Sequence, residues 1–292
     1  MVHSSRCAIS EVTKCQETRL FIVITCGISL LNNLLQIETF KRELVKFLGL
    51  KEHVDSKAII KLLDEKRSLI HNVNFFDKII NDLVCNMLLE NPQKYSAELN
   101  TVTKLLKKLN NVVEVKFQLL ATDTGSCLFC ARTLAKVLPR LANLVLGPSV
   151  RSDIDSIVSV KGLFESDSEK VAEALSYLVD RFARKVLKYS ISGYEVYTVI
   201  SGGLKLEIVY IATIASIAKS WIVYCPDVDS DVVILPPLPI EIDSDVVRLF
   251  KGENVNNEKL SKFIRLGYVI PNGDSIKLRE WVYKLVRAIE NA

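Results

Sequence analysis

Ser29 and Lys205 are the two side chains whose setting points to chemistry. Each follows an apolar run and a turn of small residues. Phe21 to Asn33 reads FIVITCGISLLNN, and Val199 to Glu207 reads VISGGLKLE. The turns are Thr25-Cys26-Gly27-Ile28-Ser29 and Ser201-Gly202-Gly203, the latter leading to Lys205. A strand–turn–helix junction of this kind directs backbone N–H groups outward and favours bound anions. In open parallel sheets, ligands sit outside the carboxyl ends of the strands. Two such junctions meeting in space imply a phosphate-bearing ligand, with the Ser29 hydroxyl and the Lys205 ammonium nearest to it. A cation at a helix start opposes the helix dipole, which argues against an idle Lys205. A third loop, Asp123-Thr124, follows another apolar run. It either caps a helix or joins the same crevice.

These turns need strands and helices to hold them. Leu20 to Thr25 is nearly all aliphatic, as a strand covered on both faces should be. Residues 39 to 110 carry helical spacing, with Ile59, Ile60, Leu62 and Leu63 an example, and Pro92 interrupts them before a helix from Lys94 to Leu109. Val112 to Ala121 reads as a second strand and Cys127 to Leu141 as a helix ended near Pro139. Asp153 to Val160 is a strand, Ser168 to Tyr189 a long amphipathic helix, and Tyr194 to Ile200 the strand before the Gly-Gly turn. Lys205 to Lys219 is the helix after it, and Trp221 to Cys225 and Val232 to Leu235 are strands. Alternating strands and helices with buried strands mean a doubly wound, mostly parallel α/β domain with a helical insertion.

A Pro- and Asp-rich stretch from Pro226 to Asp245 then changes the composition. Beyond it, two helices, a hairpin around Pro-Asn-Gly-Asp and a last helix from Arg279 resemble a small winged helix-turn-helix domain. Its basic residues, Lys259, Lys262, Arg265 and Lys277 among them, leave both DNA binding and dimerisation open. The expected division is an N-terminal extension over 1–19, a ligand-binding domain over 20–240 and the small domain over 241–292.

The chain of 292 residues is 49% hydrophobic and 25% charged, a globular composition that excludes wholesale disorder. Its net charge of +4 neither requires nor excludes a nucleic-acid ligand. Seven cysteines and no secretory pattern argue against a disulfide scaffold and for a cytoplasmic setting. Cys127 and Cys130 form a CxxC, but only three histidines are present and no second pair accompanies it. We read these cysteines as small hydrophobes on the first turn of a helix, not as zinc ligands. The apolar run Leu206 to Cys225 is interrupted by Glu207 and Lys219 and reads as helix then strand, not as a membrane span.

Taken in order, TCGISLLNNL, LLATDTGSCLFCA, ISGGLKLEIVYIA and ILPPLPI resemble the CRISPR-associated Rossmann-fold (CARF) proteins of type III systems, specifically the archaeal ring nuclease branch. The resemblance spans about Phe21 to Ile240. It implies a homodimer that binds cyclic tetra-adenylate across its two-fold axis and cleaves the ring to linear di-adenylates with no metal or other cofactor. It places Ser29 and Lys205 at the scissile phosphate. It places Thr25, Cys26, Gly27, Ile28, Asp123, Thr124, Ser201, Gly202 and Gly203 around the ligand. Leu204 stands where the family commonly has Phe, and Gly125, Ser126, Cys127 and Leu128 stand where it carries an arginine after Asp-Thr. Arg132, further along, is the candidate substitute. The rival reading is a non-cleaving sensor that regulates transcription through the winged-helix domain. A dehydrogenase is disfavoured, because no G-x-G-x-x-G follows a strand.

Overall fold

The computed structural model describes residues 17–51, 54–161, 167–202, 205–272 and 275–291. Strand β1 (Thr18–Cys26) is followed by a short α1 (Ser29–Leu34). Then comes the helical stretch: α2 (Glu38–Leu48), α3 (Ser56–Glu65), α4 (Ser68–His71), α5 (Val73–Ile79), α6 (Asp82–Glu90), α7 (Pro92–Tyr95) and α8 (Ala97–Leu106). Strand β2 (Val112–Thr122), α9 (Gly125–Leu146) and β3 (Arg151–Val160) follow. Next come α10 (Ser168–Leu178), a π-helical turn (Val179–Ala183) and α11 (Arg184–Ile191). Strand β4 (Glu195–Val199), α12 (Lys205–Ile217), β5 (Trp221–Tyr224) and β6 (Val233–Leu235) complete the sheet. The last segment comprises α13 (Ser244–Phe250), α14 (Asn257–Arg265), β7 (Val269–Asn272), β8 (Ser275–Leu278) and α15 (Glu280–Glu290).

The six strands lie in the order β3-β2-β1-β4-β5-β6, parallel except for the antiparallel edge strand β6. The chain builds outward from β1 in one direction and then restarts on its other side. The switch point is therefore the crevice between β1 and β4, where ligands of open α/β sheets bind. This is a mixed α/β, Rossmann-like architecture.

Helices cover both faces. Leu20, Ile22 and Ile24 of β1 point into one core, with α1, α8, α9 and the helical stretch. Phe21 and Val23 point into the other, with α10, α11 and α12. Alternate residues of one strand thus feed two different cores, which is why β1 shows no polar alternation. A third, smaller cluster holds α13–α15 and the hairpin together through Val246, Phe263, Val269 and Val282. Leu285 of α15 packs in the second core, so this segment is fastened to the sheet's helical layer.

Several expectations are corrected. The strand begins at Thr18, inside the extension expected over 1–19, and Arg19 packs over the Tyr194 ring at 4.7 Å; residues 1–16 lie outside the described ones. The helix expected from Lys94 to Leu109 is broken at Ser96, whose extended backbone starts α8 and whose hydroxyl caps it. Pro139 does not end α9, which runs on to Leu146. Pro removes one helix hydrogen bond at a cost of about 3 kcal/mol. Here Leu134, Val137, Leu138, Leu141 and Ala142 are all buried on both sides of it, and that burial outweighs the loss. The long helix from Ser168 is continuous but carries the π turn. Among the described residues no helix is long and apolar enough to cross a membrane.

Phe129 is fully buried on α9 and meets Phe40 at 6.5 Å and Phe76 at 5.7 Å between ring centroids, both edge-on. It therefore ties α2 and α5 to the sheet. Phe129→Ala should cost about 3–5 kcal/mol in denaturant unfolding, with the earliest loss of amide protection in α2 and α5 by hydrogen exchange. A loss below about 1 kcal/mol would show that the helical stretch is held elsewhere.

Candidate functional site at the β1/β4 crevice

The two turns meet. The Thr25 hydroxyl, buried at the end of β1, donates to the Gly202 carbonyl and lies 3.3 Å from that of Val199. Gly202 has no room for a side chain: a Cβ there would lie 2.0 Å from Glu98 Oε1 and 2.7 Å from the Gly27 nitrogen. Glycine here permits close approach of two backbones.

The group between the turns is Glu98, which is fully buried. Its Oε1 accepts the Gly27 N–H at 2.9 Å. Its Oε2 accepts the Ser96 hydroxyl at 2.7 Å and the Ser29 hydroxyl at 3.5 Å. The Gly27 amide, expected to face a bound phosphate, is thus turned inward onto a resident carboxylate. Ser29 and Ile28 remain half-buried beside it, while Cys26 is buried.

Helix α8 carries more than Glu98. Thr101 is buried and gives its proton to the Ala97 carbonyl at 2.8 Å, so Ser201 is the donor in their 2.5 Å contact. Lys104 donates to the carbonyls of Val228 at 2.6 Å and Ser230 at 2.5 Å in the loop after β5. One helix therefore contacts the carboxyl ends of β1, β4 and β5.

The third loop is built differently. Thr124 caps α9, its hydroxyl accepting the Cys127 N–H at 3.2 Å, so the capping alternative holds for this residue. Asp64 of α3 accepts the Ser126 N–H at 2.7 Å, and the Leu63 carbonyl would lie 2.0 Å from a Cβ on Gly125. The helical stretch therefore closes over the start of α9. Asp123 pairs with Arg67 and accepts from Ser159, with Lys161 at 3.6 Å. Burial alone raises the pKa of Asp123, but hydrogen bonds from Ser159 and Arg67 and the nearby positive charges outweigh it and leave it below the usual carboxylate value.

Arg132 is not brought to the crevice. Its guanidinium donates to the Ile70 carbonyl and lies 4.9 Å over the Phe76 ring. The arginine beside the third loop is Arg67, just ahead of α4, whose Nε is buried without a hydrogen-bond partner. Gly203 and Leu204 lie outside the described residues; Lys205 opens α12, but its side chain lies outside them too. Cys127 and Cys130 are buried in the first turns of α9, as expected of small hydrophobes. Burial pushes the Cys130 thiol well above its usual range, and the Glu98 charge adds to the effect. Among the described residues no group of His, Cys, Asp and Glu could hold a metal ion.

Sequence reasoning missed Glu98 and Arg67. Ser96 followed closely by an acidic residue is a helix-start signal that could have split the expected helix and drawn attention to Glu98. Nothing local marks Arg67, whose partner is 56 residues away.

A model of the CRISPR-associated protein family Cas_APE2256 matches residues 93–238, half of the chain. The matched span starts in α7 and holds Glu98, the third loop and the Ser201-Gly202 turn; Ser29 and the segment from α13 onward lie outside it.

Two outcomes test this geometry. Gly202→Ala should cost about 1–3 kcal/mol through overpacking. The cost should shrink in a Glu98→Ala background, where the clash with the carboxylate is gone and only that with the Gly27 nitrogen remains, a coupling that a double-mutant cycle reads directly. Equal costs in both backgrounds would contradict the contact. The depressed pKa of Asp123 gives stability that is present above its unfolded value, near pH 4, and lost as pH falls through the lower folded value. Asp123→Asn should lose on the order of 1 kcal/mol at neutral pH, and the gap from wild type should close in acid, as followed by urea unfolding at a series of pH values.

Proposed function

The chain belongs to the Cas_APE2256 family of CRISPR-associated proteins, and from that premise we propose that it binds cyclic tetra-adenylate in a homodimer and cleaves it without a metal. The observation that carries the reading is the meeting of the two turns at the β1/β4 switch point, backed by α8. A ring with two-fold symmetry is matched by two copies of one loop set. Each chain supplies one Ser29 and one Lys205. The proposed setting is the cytoplasm.

In this reading the crevice holds a ribose so that its 2′-hydroxyl lies in line with the adjacent phosphate. Attack gives a 2′,3′-cyclic phosphate and releases the 5′-oxygen. Such positioning can remove several kcal/mol from the barrier. The Lys205 ammonium neutralises charge developing on the phosphate oxygens, and Ser29 contacts the same phosphate. The crevice provides no paired acid and base among the described side chains, so turnover is slow.

The second reading is a sensor without turnover. It draws on the helix–helix–hairpin–helix order of residues 244–290, with its own small core and its anchor in the sheet's helical layer. Ligand binding would then reorient a winged-helix segment on DNA.

The deciding experiment incubates purified protein with cyclic tetra-adenylate in EDTA and separates the products by chromatography. Linear di-adenylates are expected. Lys205→Ala should lower single-turnover cleavage about 10²–10³-fold with binding kept, and Ser29→Ala should lower it less. Wild-type rates from Lys205→Ala would remove the lysine from the mechanism. Tight binding of an intact ring by wild type, with salt-dependent DNA binding, would establish the sensor.

A further inference from the structure

Glu98 is a carboxylate where an anion-binding turn would leave room for a phosphate. All three of its contacts are donors: the Gly27 N–H and the hydroxyls of Ser96 and Ser29. The Ser96 oxygen already accepts the Leu99 N–H at 3.2 Å, which leaves its proton for Glu98. Both carboxylate oxygens therefore act as acceptors alone. Among the described side chains no lysine, arginine or histidine forms an ion pair with it. A fixed negative charge therefore lies directly beneath both turns, within the protein interior where charges are poorly screened.

We propose that Glu98 makes the crevice selective for phosphodiesters over phosphate monoesters, an inference that rests on the ligand reading above. A diester carries one negative charge at neutral pH, whereas a monoester carries nearly two, its second pKa being about 6. In that reading the Lys205 ammonium favours the extra charge, and Glu98 opposes it. Only the carboxylate penalises the additional charge. At a separation of about 12 Å and an effective dielectric of about 20, one extra unit of charge already costs a factor of about ten in affinity. A closed ring of nucleotides contains diesters alone. Free adenine mononucleotides end in monoesters, share the base and sugar, and would otherwise compete for the same crevice. Glu98 is thus a specificity-determining residue acting through charge rather than contact.

The test compares adenosine 5′-monophosphate with its methyl ester, which share base, sugar and phosphorus and differ by one charge. Each displaces labelled cyclic tetra-adenylate from the intact protein. Wild type should prefer the methyl ester. Glu98→Gln, which keeps the shape and an acceptor for Gly27, should lower that preference about ten-fold. Glu98→Asp, which keeps the charge, should retain most of the preference. Parity in wild type overturns the proposal whether or not Glu98→Gln folds. So does an undiminished preference in Glu98→Gln. Either result leaves the ligand reading intact, because labelled ring is still bound. Failure of wild type to bind the labelled ring overturns the ligand reading and this inference together.

Discussion

A buried carboxylate that pairs with no cation among the described side chains is costly unless donors surround it. The crevice satisfies this demand by bringing donors from three places to Glu98: the turn after β1, the start of α1 and the cap of α8. That requirement fixes the distance between elements. The Gly27 backbone must approach α8, and Gly202 must approach both, so neither turn can relax independently. Thr25 and Ser201 add hydrogen bonds to the same arrangement. The shape of the crevice follows from satisfying one buried charge.

The helical stretch between β1 and β2 has a related role at the third loop. Asp64 does for the start of α9 what Glu98 does for the Gly27 turn: a protein carboxylate meets an N–H that has no helical partner. Arg67, from the same stretch, pairs with Asp123 at the end of β2. The helices inserted between the first two strands are therefore part of the construction of the sheet's carboxyl edge. Phe129 and its ring contacts hold them against that edge from inside the core.

The parallel strands were legible because burial on both faces leaves long runs such as FIVIT, which few other elements explain. The small-residue turns were legible because close approach of backbones selects glycine, as at Gly202. The full length of α9 was not, since Pro139 is a local signal and the burial that overrides it is a property of the whole fold. The interior of the crevice was hidden for a similar reason. Glu98 resembles any acidic residue in a first helical turn until α8 is laid across β1 and β4, and its contact with Gly27 spans 71 residues of sequence. Arg132 was favoured for its nearness in sequence to Asp123, but on α9 it faces Ile70 and Phe76.

Strand β1 lies at the centre of the sheet, yet both of its neighbours are distant along the chain. Ile24 pairs with Leu119 on one side and with Val199 on the other. A ribosome adding about 5–20 residues per second takes about 10–35 s to travel from the first strand to its second neighbour. Throughout that interval an apolar segment with strong strand propensity has at least one open edge, the condition under which nascent chains associate with one another. The central position that lets β1 contribute to the crevice also makes biogenesis the vulnerable stage in the life of this protein, and makes β1 the segment from which chaperone dependence would arise.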